Sequence, residues 1–281
     1  SVCRTKVKWR QIMWELYDEL IEGIPDGITA DCITVGLHWT VVTAGKYCGT
    51  AMTVTEQGAF PELTGSRRGQ PLKHLASLAK SWNFLEASVG VAAINSYYNN
   101  RETWERLKGQ AKSPVDSGGG PSRTNPDRSA LWEIVGSENA FDGYAQAVKG
   151  KKAAISGHFR HLENYLTEAK EVSVLERRPL DGDYPDSACE YILPEQDFVC
   201  ITGSTLVNKT LPRLLQLSRK AQVVLVGPSA PMTPILFRYG VDEMSGFLVA
   251  DRDGVIDAAS MAEHKAFFQC GERVRMMRGR V

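Results

Sequence analysis

The segment FVCITGSTLVNKTLPRLL, Phe198–Leu215, decides the fold. Phe198–Ile201 is an unbroken apolar run, the pattern of a strand buried on both faces. Thr202-Gly203-Ser204-Thr205 interrupts it. A helix restarts near Thr210, with Pro212 in the first turn, where a missing N–H costs nothing. A strand that ends in a glycine among hydroxyl residues and runs into a helix is one unit of an open α/β sheet. Ligands of such sheets bind in the crevice beyond the strand ends.

The same rhythm extends on both sides of this segment. Strands are predicted at Ala153–Ser156, Val172–Glu176, Val223–Val226 and Gly246–Ala250. Helices are predicted at Leu162–Ala169, Ala188–Leu193 and Gly254–Phe268, with a short helix capped by Thr233, opened by Pro234 and closed by Gly240. Strands separated by helices of about ten residues imply parallel βαβ units with right-handed crossovers. Residues 149–281 are therefore expected to form a Rossmann-like, doubly wound parallel sheet.

Residues 1–148 read differently. An amphipathic helix is predicted over 11–23. Cys32–Thr43 reads as one strand, turned back at Ala44-Gly45-Lys46 into Tyr47–Val54, which makes a hairpin. On this reading His38 and Trp39 lie mid-strand and face opposite ways. A helix begins at Pro71, and a second spans Phe84–Tyr98, with Arg101–Lys108 prolonging it. The second helix is rich in small residues, which admit a neighbouring backbone, and it carries Glu86 and Asn95 among apolar positions. Buried polar groups need partners, so these two bond either to loop backbone or to a ligand. Residues 109–130 form a glycine- and serine-rich loop, a surface excursion or a lid.

Composition narrows the function. Lys+Arg and Asp+Glu both number 33, so a general nucleic-acid binder, which needs a basic face, is excluded. The four arginines between Arg273 and Arg280 read as a solvated end. No apolar run approaches the ~20 residues of a membrane span, and the amino-terminal residues lack a signal-peptide pattern. A cytoplasmic protein is expected. The six scattered cysteines contain no C-x-x-C pair and read as free thiols.

The turn Gly157-His158-Phe159-Arg160-His161 stands where a dinucleotide fold carries G-x-G-x-x-G. Only the first glycine is present, which disfavours a pyrophosphate. Glu176, 19 residues after Gly157, retains the position of a ribose-binding acid. His158 and His161, three apart at a helix entrance, can face one site and bind a borderline or soft transition metal. Ser204 lacks the second glycine of a nucleophile elbow, so it reads as a binder of anionic or carbonyl groups. Asn208, Lys209 and the turn Gly227-Pro228-Ser229 border the same crevice.

These residues resemble a known family. MWELYDELIEGIP (Met13–Pro25), VGLHWT (Val35–Thr40), KSWNFLEASVGVAAINSYYN (Lys80–Asn99), GHFRHLE (Gly157–Glu163), ITGSTLVNKTLPRLLQLS (Ile201–Ser218) and VGPSAPMTPILFRYGVDEMSGF (Val226–Phe247) are similar to the two-domain proteins labelled "putative heavy-metal chelation". The resemblance implies an enolase-N-terminal-like α+β domain followed by the Rossmann-like domain. It also implies a cleft between them, lined by Trp82, Asn83 and Glu86 on one side. His158, Ser204, Asn208 and Ser229 line the other, on the turns whose Gly157, Gly203, Gly227 and Pro228 are also read as ligand-binding candidates. The function expected is binding of a small metal-chelating or heterocyclic ligand, with or without a transition metal held by His158 and His161. Two alternatives stand beside it: a lyase or transferase using His158 as base and Glu86 as acid, and a nucleoside-cofactor binder using Glu176. The partner expected is a small molecule, not nucleic acid or membrane; homo-oligomerisation is left open.

Overall fold

The computed structural model describes residues 14–55, 65–111, 132–135, 144–158 and 165–279. Helix α1 covers residues 14–22 and buries Leu16, Tyr17, Leu20 and Ile21, the stripe that helical spacing demands. Three antiparallel strands follow: β1 (Cys32–Val35), β2 (Trp39–Ala44) and β3 (Tyr47–Met52), in that spatial order. The segment read as one strand over Cys32–Thr43 is thus two, paired with each other from Cys32↔Thr43 to Val35↔Thr40. The Gly36 N–H donates to Trp39 O at 3.0 Å and closes the turn. His38 therefore sits on a turn rather than mid-strand. The apolar character of VGLHWT runs unbroken through the reversal and hides it.

Helices α2 (Leu72–Ser77), α3 (Phe84–Tyr98) and α4 (Arg101–Gln110) complete this part. The Asn83 side chain accepts the Glu86 N–H and opens α3; the Asn100 side chain accepts the Thr103 N–H and opens α4. Such caps contribute about 1 kcal/mol each, and the second one makes Arg101–Gln110 a new helix rather than a prolongation. Alternation along β2 divides the small sheet's contacts. Val42 and Ala44 join the core with α3. Trp39 and Val41 join a second cluster with Phe247, Val255 and Phe267.

The large sheet contains β4 (Trp132–Val135), β5 (Lys152–Ser156), β6 (Glu171–Glu176), β7 (Tyr184–Pro185), β8 (Phe198–Thr202), β9 (Gln222–Val226), β10 (Glu243–Val249) and β11 (Gly271–Arg278), in the order β4-β11-β10-β9-β8-β5-β6-β7. The six strands from β10 to β7 are parallel. Counted along the chain they follow 3-2-1-4-5-6, the Rossmann order. β11 and β4 extend one edge antiparallel. The helices here are α5 (Tyr144–Val148), α6 (Cys189–Ile192), α7 (Leu211–Leu217), α8 (Arg252–Ser260) and α9 (His264–Gln269). A 3-10 helix, Pro234–Tyr239, is capped by the Thr233 side chain and ended by Gly240 at φ 99°.

Three expectations change. The arginine-rich stretch read as a solvated end is β11, and Arg275 forms a largely buried ion pair with Glu243 at 2.7 Å. Of the helix expected over Leu162–Ala169, residues 159–164 lie outside the described residues, and 165–169 form a tight turn. The expected helix Gly254–Phe268 is two, α8 and α9, separated near Ala262, whose φ is 58°. The loop expected over 109–130 falls outside the described residues from 112 onward.

Polar side chains on α3 and at its C-cap lock the two parts together. Asn95 Nδ2 donates to Thr50 O and Pro228 O at 2.8 and 3.2 Å. Asn99 Nδ2 donates to Ala230 O at 2.9 Å, and its Oδ1 accepts the Met232 N–H at 2.8 Å. The two asparagines hold the loop after β9 by its backbone.

Candidate functional site

The chain leaves β5 toward β6 and β7 on one side, and returns to β8, β9 and β10 on the other. The direction reverses between the neighbours β5 and β8, so the crevice lies beyond their carboxyl ends. There Gly157 follows β5, Gly203 follows β8 and Gly227 follows β9. A Cβ on Gly203 would stand 2.5 Å from Ala230 N and 2.7 Å from Ser229 C. Glycine is what lets the second and third turns touch. Gly227 has a different reason, a φ of 109°, which L side chains rarely adopt.

A cavity of about 330 Å³ opens here. His158, Thr202, Gly227, Pro228 and Ser229 line it from the large-sheet turns. His38, Trp39 and Met52 line it from the small sheet, and His264, Phe268 and Arg273 from α9 and β11. Of the residues expected at the site, His158, Gly227, Pro228 and Ser229 come together in this cavity. The Ser229 hydroxyl accepts the Met52 N–H at 2.8 Å, so it fastens β3 to the rim.

His158 is held from two directions. Its backbone N–H donates to Glu176 Oε1 at 2.8 Å, and its Nε2 lies 2.7 Å from Asp183 Oδ2. Asp183 also accepts the Leu180 N–H at 2.7 Å. Desolvation works to raise the Asp183 carboxyl, but the hydrogen bonds from Leu180 and His158 outweigh it and hold it below its ordinary value. Glu176 spends both oxygens on the backbone N–H groups of His158 and Arg177, where a ribose-binding acid would keep them for a diol. His161 lies outside the described residues.

The remaining expected residues gather elsewhere. Ser204 bonds Thr202 Oγ1 at 3.1 Å. Asn208 Oδ1 accepts from both the N–H and the hydroxyl of Thr210 and shapes the entrance to α7. Glu86 is buried, accepts the Ser81 hydroxyl at 2.7 Å and pairs with Arg67 at 3.5 Å. The Trp82 ring, half exposed, sits 5.9 Å from Lys209 Nζ, and the Phe84 ring 5.3 Å from it. Burial pushes the Lys209 amine down to about 7. Trp82, Asn83, Glu86, Gly203, Ser204 and Asn208 thus support the rim and the join between the two parts, and none of them lines the cavity.

Sequence reasoning missed Asp183, His264, Phe268 and Arg273 as cavity or near-cavity residues, and gave His38 a strand position. Asp183 stands 25 residues beyond His158 in a loop, and no spacing rule links them. The α9 and β11 residues are brought in by the turn back from β10.

A transition metal does not fit the described residues by themselves. Among them no group of three or more His, Cys, Asp or Glu side chains is placed to hold a metal ion. The cavity's imidazoles come from separate elements, and no carboxylate or thiol lines it.

The fold and site define a two-domain α/β protein with a small-molecule-sized crevice at a topological switch point. The chain belongs to the DUF364 family, described as "Putative heavy-metal chelation", which residues 139–278 match. Residues 17–98 match a second family of the same description, DUF4213. A DUF364 protein of unknown function from Desulfitobacterium hafniense DCB-2 has a crystal structure similar to this one. It is 38% identical, with a TM-score of 0.79, covering 95% of this chain and 98% of its own. A second DUF364 protein of unknown function, from Pyrococcus horikoshii, shares the fold at 22% identity and a TM-score of 0.71, over 94% of this chain and 98% of its own. An uncharacterized protein of Methanocaldococcus jannaschii is 27% identical over 80% of this chain and 78% of its own. Among the described residues no helix is long and apolar enough to cross a membrane.

Proposed function

We propose that this protein binds a small metal-chelating or heterocyclic ligand in the cleft between its two domains. The observation that carries the reading is one cavity at the switch point into which both domains send imidazole and aromatic side chains. About 330 Å³ sits at the low end of the roughly 300–1,000 Å³ of small-molecule sites. That room suits a one- or two-ring molecule and not a dinucleotide. The family description supports a link to metals. Because the described residues make no complete metal site, the reading assigns most of the metal donors to the ligand. The imidazoles would then contribute to a chelate and not hold a bare ion.

The test is native mass spectrometry of the full chain purified without chelators. A bound mass of a few hundred daltons, released on denaturation and absent from His158→Ala, is expected. An apo mass alone, unchanged by the substitution and by incubation with transition-metal chelates, overturns the reading.

The enzyme reading keeps one specific support. An imidazole oriented by a carboxylate is the arrangement of a general base, and His158 with Asp183 has it. Glu86 gives no such support as the acid, since Ser81 and Arg67 already occupy its carboxylate.

A further inference from the structure

The polar character of the cavity is one-sided. Its lining contains Arg273, three histidines and no aspartate or glutamate. Arg273 lies opposite Phe247 in the β10–β11 register, and its guanidinium stands 5.7 Å from the centre of the Phe268 ring. That contact lays the group along an aromatic wall. Among the described residues no carboxylate lies within ion-pair distance of it, whereas its neighbours on the strand, Arg275 and Arg278, pair with Glu243 and Asp242. One strand therefore has two neutralised arginines and, at the cavity, a third that is not.

Trp39 adds to the aromatic wall. Its ring is 7% exposed and stacks on Phe267 at 4.3 Å with planes 9° apart, and the residue lines the cavity beside Phe247 and Phe268.

We propose that the ligand class of this cavity is a planar aromatic or heteroaromatic acid. Its acid group would pair with Arg273, and its ring would lie against Phe268. This rests on the reading of the cavity as a ligand site, and it adds charge and shape. The acid group is a carboxylate or a phosphate; both match a guanidinium fork.

Calorimetric titration of the full chain with quinoline-2-carboxylate, quinoline-2-carboxamide and phenyl phosphate tests it. The carboxylate is expected to bind at least tenfold more tightly than the isosteric amide, and more weakly as salt rises. Arg273→Gln should reduce the acid to the amide's level, and Arg273→Lys should restore part of the difference. Preference for phenyl phosphate or for the quinoline acid assigns the acid group. Equal binding of acid and amide overturns the proposal while leaving a ligand site in place. So does acid binding that Arg273→Gln leaves unchanged, with the fold checked by circular dichroism. Absence of binding by every probe also overturns it, and the co-purified mass described above then decides the broader reading separately.

Discussion

The Nε2 of His158 lies 2.7 Å from Oδ2 of Asp183. The carboxylate comes from the loop after β6 and the imidazole from the turn after β5, so two successive crossovers meet at the crevice. With Nε2 engaged and the backbone N–H anchored on Glu176, the ring is fixed and its Nδ1 is left without a partner among the described residues. Asp183→Asn keeps the shape but cannot hold an imidazole N–H as strongly. Ligand affinity should fall about tenfold, the loss of one charge-assisted hydrogen bond, with little change in melting temperature. The Asp183 carboxyl is held below its ordinary value. Its stabilising part is therefore present above the ordinary carboxylate range and is lost as pH falls through the lowered value. The parent's affinity should decline on acidification through that range, and titration at several pH values reads it.

Asn99 gives the clearest structural prediction. It donates to Ala230 O and accepts from the Met232 N–H, and all these groups are buried. Asn99→Ala strands two backbone groups, each costing about 1–3 kcal/mol. A loss of about 3 kcal/mol in urea unfolding is expected, together with weakened ligand binding through the Gly227–Ser229 turn. Asn99→Ser, too short to span both partners, should behave much like alanine; stability equal to the parent in either variant would remove the pin.

How much of this was legible in advance differs by element. The Rossmann half could be read because strands such as Phe198–Thr202 and Gln222–Val226 are largely apolar runs closed by glycine or hydroxyl residues. The turns Gly157–His158 and Gly227–Ser229 follow from the same punctuation. The rest of the cavity was hidden. His38 is carried on a reversal with no polar or proline marker. His264, Phe268 and Arg273 reach the crevice only because β11 runs antiparallel beside β10, a pairing that local periodicity does not encode. For Glu86 and Asn95 the sequence posed the right alternatives, and packing chose backbone and neighbouring side chains as their partners.

Gly203 and Gly227 separate two uses of glycine at adjacent turns. Gly203→Ala places a Cβ 2.5 Å from the Ala230 backbone, and neither turn can yield without moving β8 or β9. Gly227→Ala meets no atom within 4 Å but must hold φ 109°, costing about 1–3 kcal/mol of strain. Both variants should be less stable in urea unfolding. Only Gly203→Ala should also separate the turns and abolish ligand binding, while Gly227→Ala keeps measurable affinity. Equal loss of affinity in both would show that spacing between the turns is not what matters.

Lys209 provides a pH test of the join between the domains. Its amine is enclosed by the Trp82 and Phe84 rings and donates to Val207 O at 2.8 Å. Burial lowers it from 10.5 to about 7. A lysine depressed in the folded state binds fewer protons there than in the unfolded chain between these two values. Across that window stability gained from this group rises with pH, and below about 7 the full cost of the buried charge is felt. A shift of this size corresponds to at most about 5 kcal/mol, which water at the half-exposed Trp82 ring reduces to about 1–3 kcal/mol. Lys209→Met keeps the apolar stem between the rings and removes the charge. It should be more stable than the parent at pH 6, with the difference shrinking toward pH 10. Taking the difference between the two proteins cancels the cysteines, whose thiols burial pushes above their ordinary value, so that they act with the opposite sign at the alkaline end of the window. Urea unfolding at pH 6, 8 and 10 measures it; a difference that does not change with pH would mean the amine is solvated and the two rings do not enclose it.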